Sequence, residues 1–240
     1  MTGLESTAAS LAEVFRKADA LQVPLDQRLA FCSGEQRKLL PGLESASDDL
    51  VVQIDKRRAG AVAPAVGDKL PEFQLADSEG RQVSLGSYLE RGPLVVSFNR
   101  GPWCNYCGLE LQALARAYPF ITAAGGDVVS IVPELQSQAR ALQAKHELPF
   151  GVLIDRDLLY AVSLGLVFWV GAKIKDVFGE LGVDLSQFQG NDGWFLPIPA
   201  TLVVGRDGRV LARFVDPDFR NRMNTEDVLA AVSDAGRSSR

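Results

Sequence analysis

The sequence is poor in the two side chains that most often build cross-links and metal centres. Its 240 residues include three cysteines and one histidine. Three cysteines in a chain of this length do not make the disulfide framework of a small secreted protein. A zinc site needs four ligands, and only Cys32 and His146, which are widely separated, remain to join the other two cysteines. We therefore expect no metal, and we expect a reducing, cytoplasmic location.

Positive charge and long apolar runs are scarce as well. Lys and Arg number 25 against 30 Asp and Glu, which gives a net charge of −5. A nucleic-acid partner is not expected, because it requires a basic surface. The longest uncharged run lies between Asp157 and Lys173, contains two glycines and is short for a bilayer-spanning helix. The chain opens without the basic and apolar pattern of a secretory signal, so we expect no membrane partner.

The composition and periodicity of the sequence change after about its first quarter. In the N-terminal part, apolar residues such as Leu11 and Phe15 recur at helical spacing. A stretch of small residues with Pro and Gly, typical of a linker, then spans residues 59–73. These patterns predict a helical N-terminal extension over residues 1–64 and a second domain over residues 65–240.

In the second domain, predicted strands alternate with predicted helices. Short apolar runs are typical of strands buried on both faces. Hairpins are predicted over residues 73–85 and 200–215, the second with Asp207-Gly208 at its tip. The predicted buried strands are 94–98, 127–132 and 151–154, and the predicted helices are 104–118, 134–146, 158–171, 174–182 and 225–235. This order predicts an α/β fold with a mixed sheet covered by helices on both faces.

Two of the three cysteines lie together in the stretch FNRGPWCNYCGLELQAL, residues 98–114. Cys104 and Cys107 follow a predicted strand and open a predicted helix, one helical turn apart, so their sulfurs can reach bonding distance. Helix N-termini lower the pKa of a cysteine from about 8.5 to about 3.5–7.5. The setting predicts a redox-active dithiol. Half of a zinc site and a structural pair of buried thiols are the alternatives.

A proline accompanies the dithiol in the predicted fold. Pro199 directly precedes the predicted strand 200–204. In an α/β redox fold, a cis-proline at that place packs against the dithiol and presents backbone to a substrate sulfur. The alternative is a trans proline at the first residue of a strand, where no N–H is needed.

Other residues carry weaker signals. His146 is predicted to be a solvated histidine at a polar helix end, and Cys32 is predicted to pack within the N-terminal segment. The apolar stretch around Trp169 is predicted to be core, with an apolar groove or a dimer face as alternatives. Glycine-rich phosphate loops and flavin or nicotinamide motifs do not occur, so no cofactor is expected.

Three stretches of the chain, in this order, resemble a known family. They are VGDKLPEFQLADSEGRQVSL (66–85), FNRGPWCNYCGLELQAL and LPIPATLVVGRDGRV (196–210). They resemble the peroxiredoxin-like branch of the alkyl hydroperoxide reductase/thiol-specific antioxidant family over residues 65–235. The resemblance implies a thioredoxin-like fold, and the N-terminal helices look like the extension that some members carry.

The resemblance implies two different orders of attack. Thioredoxins use Trp-Cys-x-x-Cys with the first cysteine as nucleophile, which matches Trp103-Cys104. Peroxiredoxins use Pro-x-x-x-Thr-x-x-Cys followed three residues later by a glutamate, which matches Cys107 and Glu110. Arg100 then stands in the place of the proline, and Cys104 in that of the threonine. Glu110 favours Cys107 as the attacking residue.

The family's catalytic arginine is missing from its usual place. It precedes the strand at the position where this chain has Pro199. Arg100 or Arg222 is expected to replace it by approaching from elsewhere. The resemblance thus gives a candidate catalytic set with a redox disulfide between its two cysteines: Cys107, Cys104, Glu110, Arg100, Pro199 and Arg222.

The function implied is that of an antioxidant enzyme that reduces peroxides through the Cys104–Cys107 dithiol. An external dithiol reductant, such as a thioredoxin-like or glutaredoxin-like protein, is its expected partner, and a homodimer its possible assembly. One alternative is a thiol–disulfide oxidoreductase with Cys104 as nucleophile. The other is a non-enzymatic redox sensor or interaction protein that binds through its N-terminal helices.

Overall fold

Three helices open the chain in the computed structural model, which describes residues 3–238. They are α1 (Gly3–Ala20), α2 (Leu25–Leu39) and α3 (Pro41–Lys56). Pro41 begins α3, where the N–H that proline lacks has no helical partner in any case. Apolar side chains of α1 and α2, such as Phe15 and Leu29, pack in one cluster with Tyr106. Residues 1, 2, 239 and 240, at the outer ends of the two predicted domains, lie outside the described residues.

A seven-stranded mixed sheet forms the centre of the molecule. Its spatial order is β2-β1-β5-β4-β3-β8-β9. In chain order the strands are β1 (Gln74–Asp77), β2 (Gln82–Ser84), β3 (Leu94–Phe98), β4 (Asp127–Val132), β5 (Gly151–Ile154), β6 (Val167–Trp169), β7 (Phe195–Pro197), β8 (Ala200–Val204) and β9 (Val210–Val215). β3, β4 and β5 run parallel, and β8 pairs antiparallel with β3. The predicted hairpins and buried strands are confirmed.

Helices cover both faces of this sheet, as predicted. After α3 they are α4 (Leu85–Leu89), α5 (Asn105–Ala123), α6 (Gln136–Lys145), α7 (Leu159–Ser163), α8 (Gly171–Glu180), α9 (Leu185–Gln189) and α10 (Thr225–Ser238). Side chains alternate along β3, so Val95 packs with α5, α6 and α10 whereas Val96 packs with α3, α7 and α8. Across the described helices, none combines the length and the apolar character that a bilayer crossing demands.

The prediction of one helix over residues 158–171 is wrong. Helix α7 ends at Ser163, and Gly165 follows with a φ of +68°. That left-handed conformation suits glycine and ends the helix. The chain then extends into β6, which pairs antiparallel with β7 in a separate two-stranded sheet.

The predicted core position of the stretch around Trp169 is confirmed for its apolar neighbours but not for the Trp169 side chain itself. Strand alternation turns Phe168 inward, and Val170 is buried as well, but Trp169 is 46% exposed. Together with Phe195 and Val162 it lines an apolar groove. For the Trp169 side chain, the alternative prediction of an apolar groove is therefore the correct one.

Candidate active site

The dithiol lies where β3 passes into α5. The connecting segment, residues 99–104, is called here the dithiol loop. Cys104 is the N-cap of α5, and its sulfur accepts the backbone N–H of Cys107 at 3.3 Å. Both cysteines are free thiols in this structure. The predicted setting of strand, cysteine pair and helix is thus what the chain forms.

Glu110 lies under the dithiol because sheet and helix place three polar groups on one face. Ser97 of β3 is the register partner of Thr201 of β8. Its neighbours Val96 and Phe98 face the opposite side, so Ser97 faces α5. The hydroxyls of Ser97 and Thr201 donate to Oε1 of Glu110 at 3.1 and 3.0 Å. This buried carboxylate is held one helical turn beyond Cys107.

Arg222 links this carboxylate to the sulfur of Cys107. It comes from the segment between β9 and α10, residues 216–224, called here the arginine loop. Its Nε donates to Oε2 of Glu110 at 2.6 Å, and its Nη2 donates to Sγ of Cys107 at 3.4 Å. Burial raises the pKa of Glu110, and Arg222 opposes that rise. The two buried charges compensate each other beside the thiol.

Arg100 reaches both sulfurs from the other side. Its Nη2 donates to Sγ of Cys104 at 3.2 Å, and its backbone N–H donates to Sγ of Cys107 at 3.5 Å. The guanidinium lies 3.8 Å from the ring centroid of Phe219 and 5.2 Å from that of Trp103. Each sulfur therefore accepts a hydrogen bond from a different guanidinium group, and both arginines named from the sequence meet at the dithiol.

The surroundings of the two thiols shift their pKa values in opposite directions. Burial by itself would raise the pKa of Cys104, but contact with Cys107 and the charges of Arg100 and Arg222 lower that pKa to about 5. Burial raises the pKa of Cys107, and the negative charge on Cys104 raises it further. Two adjacent thiols cannot both carry a charge without repulsion. The contacts of the two sulfurs thus favour ionisation of Cys104 over that of Cys107.

Access distinguishes the two sulfurs as well. Cys104 lines a cavity of about 270 Å³, whereas Cys107 does not contact it and is 0% exposed. The cavity lies between the N-terminal helices and α8, and Trp103 packs edge-to-face on Phe178 of α8 at its wall. Its apolar lining includes Leu11, Leu40, Leu43, Leu50, Ile174 and Leu181. A small molecule in this cavity would contact Cys104.

Pro199 lies at the same edge of the sheet as the dithiol loop. It directly precedes β8, whose first residue, Ala200, pairs with Phe98 at the end of β3. Throughout residues 3–238 all peptide bonds are trans, including Ile198–Pro199. The trans alternative, a proline that needs no ladder N–H beside a strand, is the one observed.

Cys32 and His146 both lie near the dithiol, with different outcomes for their predictions. Cys32 is fully buried on α2, as predicted, and burial raises its pKa to about 12. The prediction of a solvated His146 is wrong: its ring packs over Gly108 of α5, and Nδ1 is buried without a hydrogen-bond partner. Gly108 admits the ring because it has no side chain. Among the side chains that the structure describes, no three of His, Cys, Asp or Glu lie together as metal ligands.

Glu134 is a buried acid that the sequence reasoning did not select. It is 0% exposed, and neither carboxylate oxygen has a hydrogen-bond partner of good geometry. A β-carbon on Gly101 would overlap Oε1 of Glu134 and lie 2.8 Å from Nε1 of Trp103. Burial raises the pKa of Glu134 to about 8. The sequence did contain a sign that Glu134 lies at the site. Glu134 follows β4 directly, and β4 pairs in parallel with β3, so Glu134 lies beside the start of the dithiol loop.

Sequence relatives include proteins of two redox types. The chain is 30% identical over 106 residues to the thiol-disulfide oxidoreductase ResA of Geobacillus thermodenitrificans, covering 43% of this chain and 60% of that protein. It is 34% identical over 89 residues to the chloroplastic peroxiredoxin Q of Sedum lineare, covering 37% and 47%. With peroxiredoxin Bcp of Bacillus subtilis the identity is 24% over 129 residues, covering 51% and 76%. The chain thus spans less than two thirds of the first two relatives.

A solved structure and a family pattern extend the comparison. The crystal structure of peroxidoxin BcpB from Mycobacterium tuberculosis superposes with a TM-score of 0.55 at 18% identity, covering 74% of this chain and 99% of that one. At this identity the likeness shows the fold, which is thioredoxin-like as expected. The AhpC/TSA family pattern matches residues 66–213, more than half of the chain. The chain therefore belongs to the AhpC/TSA family.

Proposed function

We propose that this protein is a thiol-dependent peroxidase that works through the Cys104–Cys107 dithiol. The observation that carries the proposal is the pair of buried guanidinium groups, Arg100 on one sulfur and Arg222 on the other. Such groups stabilise a thiolate and the negative charge that develops on the oxygen leaving a peroxide. Similarity to peroxiredoxin Q and peroxiredoxin Bcp supports the same chemistry.

In the proposed cycle, the thiolate of Cys104 attacks the terminal oxygen of a hydroperoxide. The S–O bond forms as the O–O bond breaks, and the departing alkoxide or hydroxide takes up a proton. Cys104 is then a sulfenic acid, and the sulfur of Cys107 attacks it to form the disulfide with loss of water. The one-turn separation keeps both sulfurs at the start of α5 throughout.

The order proposed here is the reverse of the one that Glu110 favours in the sequence. The nucleophile has to be a thiolate and has to meet the substrate. The pKa of Cys104 is lowered and Cys104 lines the cavity, whereas the pKa of Cys107 is raised and Cys107 is fully buried. Glu110 has another role in this order: it orients Arg222 toward Cys107, the sulfur that closes the disulfide.

The proposed substrate is a peroxide, and the proposed reductant is an external dithiol protein of the thioredoxin or glutaredoxin type. The disulfide formed within the protein would be reduced by thiol–disulfide exchange. A reducing cytoplasm, which would supply such a reductant, is the proposed location. A homodimer stays a prediction.

A second candidate function is thiol–disulfide exchange with a protein or small disulfide. The observation that favours it is the position of Cys104, the first cysteine of Trp-Cys-x-x-Cys, at the start of α5 with the guanidinium of Arg100 on its sulfur. Similarity to a ResA oxidoreductase points the same way. In this reaction Cys104 would form a mixed disulfide, which Cys107 then breaks.

A comparison of oxidants distinguishes the two functions. Reduced protein is mixed rapidly with hydrogen peroxide, cumene hydroperoxide or hydroxyethyl disulfide, and Trp fluorescence follows oxidation. The variant Cys104→Ser/Cys107→Ser is the blank. We expect either peroxide to react at least tenfold faster than the disulfide. A faster disulfide reaction would favour the second function, and no oxidation of the dithiol by any of the three would contradict both.

A further inference from the structure

A buried ion pair fastens the arginine loop to the N-terminal helices. Glu44 of α3 is 0% exposed, and its Oε2 accepts Nη1 of Arg220 at 2.8 Å. Within the loop, Nε and Nη2 of Arg220 donate to the two carboxylate oxygens of Asp218 at 2.8 and 2.9 Å. The guanidinium of Arg220 thus binds Asp218 of its own loop through Nε and Nη2, and Glu44 of α3 through Nη1.

Phe219, directly before Arg220, and Arg222, two residues after it, both contact groups at the dithiol. Phe219 lies against the guanidinium of Arg100, which donates to the sulfur of Cys104. Arg222 donates to the sulfur of Cys107. The arginine loop therefore contributes one contact on the side of Cys104, through Arg100, and one contact to Cys107. The position of the loop determines both contacts.

Further contacts hold the same loop and the same glutamate. Asn224, the last residue of the loop, accepts the backbone N–H of Asp26 at the start of α2 at 3.0 Å. Nη1 of Arg220 also lies 2.8 Å from Oδ1 of Asp48 on α3. Gln36 of α2 donates to the second oxygen of Glu44 at 2.5 Å. These contacts fix the loop to α2 and α3 together.

A buried ion pair is poorly explained as a source of stability, because desolvation offsets most of its attraction. What such a pair does supply is a fixed geometry, since Arg220 finds its compensating buried charge in only one position of the loop. The family pattern ends at residue 213 and begins at residue 66, so the loop and α3 both lie outside it. The arrangement thus belongs to the parts of this chain that the shared pattern does not describe.

We propose that Glu44 and Arg220 are positioning residues, through which the N-terminal helices hold Phe219 and Arg222 against the dithiol. For peroxide turnover this inference rests on the proposed function. For the ionisation of the dithiol it does not, because the thiolate is observable without any substrate. Loss of the anchor would let the loop move away and leave the thiolate less stabilised.

The test compares Glu44→Gln with Glu35→Gln. Both substitutions remove one negative charge from the N-terminal helices, but Glu35 is partly exposed and pairs with Lys38 of its own helix. Thiolate absorbance at 240 nm is titrated against pH in the reduced proteins, and the rate of oxidation by hydrogen peroxide is measured at pH 7. Asp48→Asn, which loosens the same anchor at a partly exposed position, is included in case Glu44→Gln does not fold.

For Glu44→Gln we expect the thiolate titration to move to higher pH and the peroxide rate to fall about tenfold, since small displacements of positioned groups have effects of this size. Asp48→Asn should change both quantities in the same direction by less, and Glu35→Gln should change neither. A lower melting temperature with an unchanged titration, in either anchor variant, would overturn the proposal. A further outcome is that the parent protein and all variants fail to consume peroxide while the thiolate titration of Glu44→Gln still moves to higher pH. In that case the positioning role stands and the proposed function fails.

Discussion

At the scale of single residues, Cys104 and Cys107 accept equal numbers of hydrogen bonds, but the pKa of Cys104 is lowered and that of Cys107 is raised. Cys104 accepts from a backbone N–H at the start of α5 and from a guanidinium, and Cys107 accepts from a backbone N–H of the dithiol loop and from a guanidinium. Two adjacent sulfurs do not both ionise readily, and the N-cap position at the start of α5 favours ionisation of Cys104. We therefore expect the position of Cys104 at the helix start, rather than the number of its hydrogen-bond donors, to make it the proposed nucleophile.

Removing the guanidinium on Cys104 should show this directly. In Arg100→Met we expect the pKa of the dithiol to rise, because a charge-assisted hydrogen bond worth about 1.5–3 kcal/mol is lost. Oxidation by hydrogen peroxide at pH 6 should slow by about tenfold. Absorbance at 240 nm measures the titration, and Arg140→Met, at a half-exposed surface position, is the control. An unchanged titration in Arg100→Met would show that Arg100 does not stabilise the thiolate.

Glu134 should make the stability of the protein depend on pH. Its pKa is about 8 when folded against an ordinary 4.5, so the folded state holds a proton that the unfolded state has lost. Stability therefore falls as pH rises from about 4.5 to about 8. Glu134→Gln should remove this slope and add on the order of 2–4 kcal/mol at pH 8.

Urea unfolding of the reduced protein at pH 5, 7 and 8 measures this effect. The control is Glu180→Gln, at an exposed position on α8. Parallel stability profiles for Glu134→Gln and the parent protein would show that Glu134 is not held protonated.

At the scale of elements, the sequence predicted what depends on local pattern. The buried strands β3, β4 and β5 read as short apolar runs, and the hairpin of β8 and β9 carries a turn sequence between two such runs. The strand β6 escaped prediction because its three residues lie inside a continuous apolar stretch, where helix and strand cannot be told apart by periodicity. Its partner β7 lies far along the chain, and only the tertiary pairing makes either one a strand.

The dithiol loop requires glycine at position 101, both for its backbone conformation and for the space beside it. Gly101 has a φ of +127°, and a β-carbon there would overlap the carboxylate of Glu134. Gly67 has a φ of +94° with open space around it. We expect Gly101→Ala to destabilise the protein by about 2–4 kcal/mol, and Gly67→Ala by about 1–2 kcal/mol from backbone strain alone.

Chemical denaturation of the two glycine variants gives the comparison. The difference between them isolates the clash between the loop and Glu134. Equal losses of stability would mean that Glu134 and the loop adjust to each other at no cost.

At the scale of the whole molecule, the N-terminal helices complete the site. They form one wall of the cavity at Cys104, and through Glu44 they hold the arginine loop. The sequence predicted these helices and the candidate residues Cys104, Cys107, Glu110, Arg100 and Arg222. The pairing of Glu44 with Arg220 could not be predicted from the sequence, because the two residues are 176 positions apart and no local pattern relates them.

Loosening the N-terminal helices should expose the dithiol. Phe15 of α1 is buried and packs edge-to-face on Tyr106 at 5.2 Å. In Phe15→Ala we expect a loss of about 3–4 kcal/mol of stability and severalfold faster alkylation of Cys104 by iodoacetamide. Phe120→Ala, at an exposed position of α5, is the control and should change neither. Unchanged alkylation in a destabilised Phe15→Ala would mean that the helices do not shield the sulfur.

The identity of the attacking sulfur is tested most directly by locating the sulfenic acid. Cys104→Ser and Cys107→Ser are each given a brief pulse of hydrogen peroxide, trapped with dimedone and digested for mass spectrometry. We predict rapid dimedone labelling of Cys104 in Cys107→Ser and little labelling of Cys107 in Cys104→Ser. Rapid labelling of Cys107 in Cys104→Ser, with Cys104 unlabelled in Cys107→Ser, would contradict the assignment of Cys104 as the nucleophile.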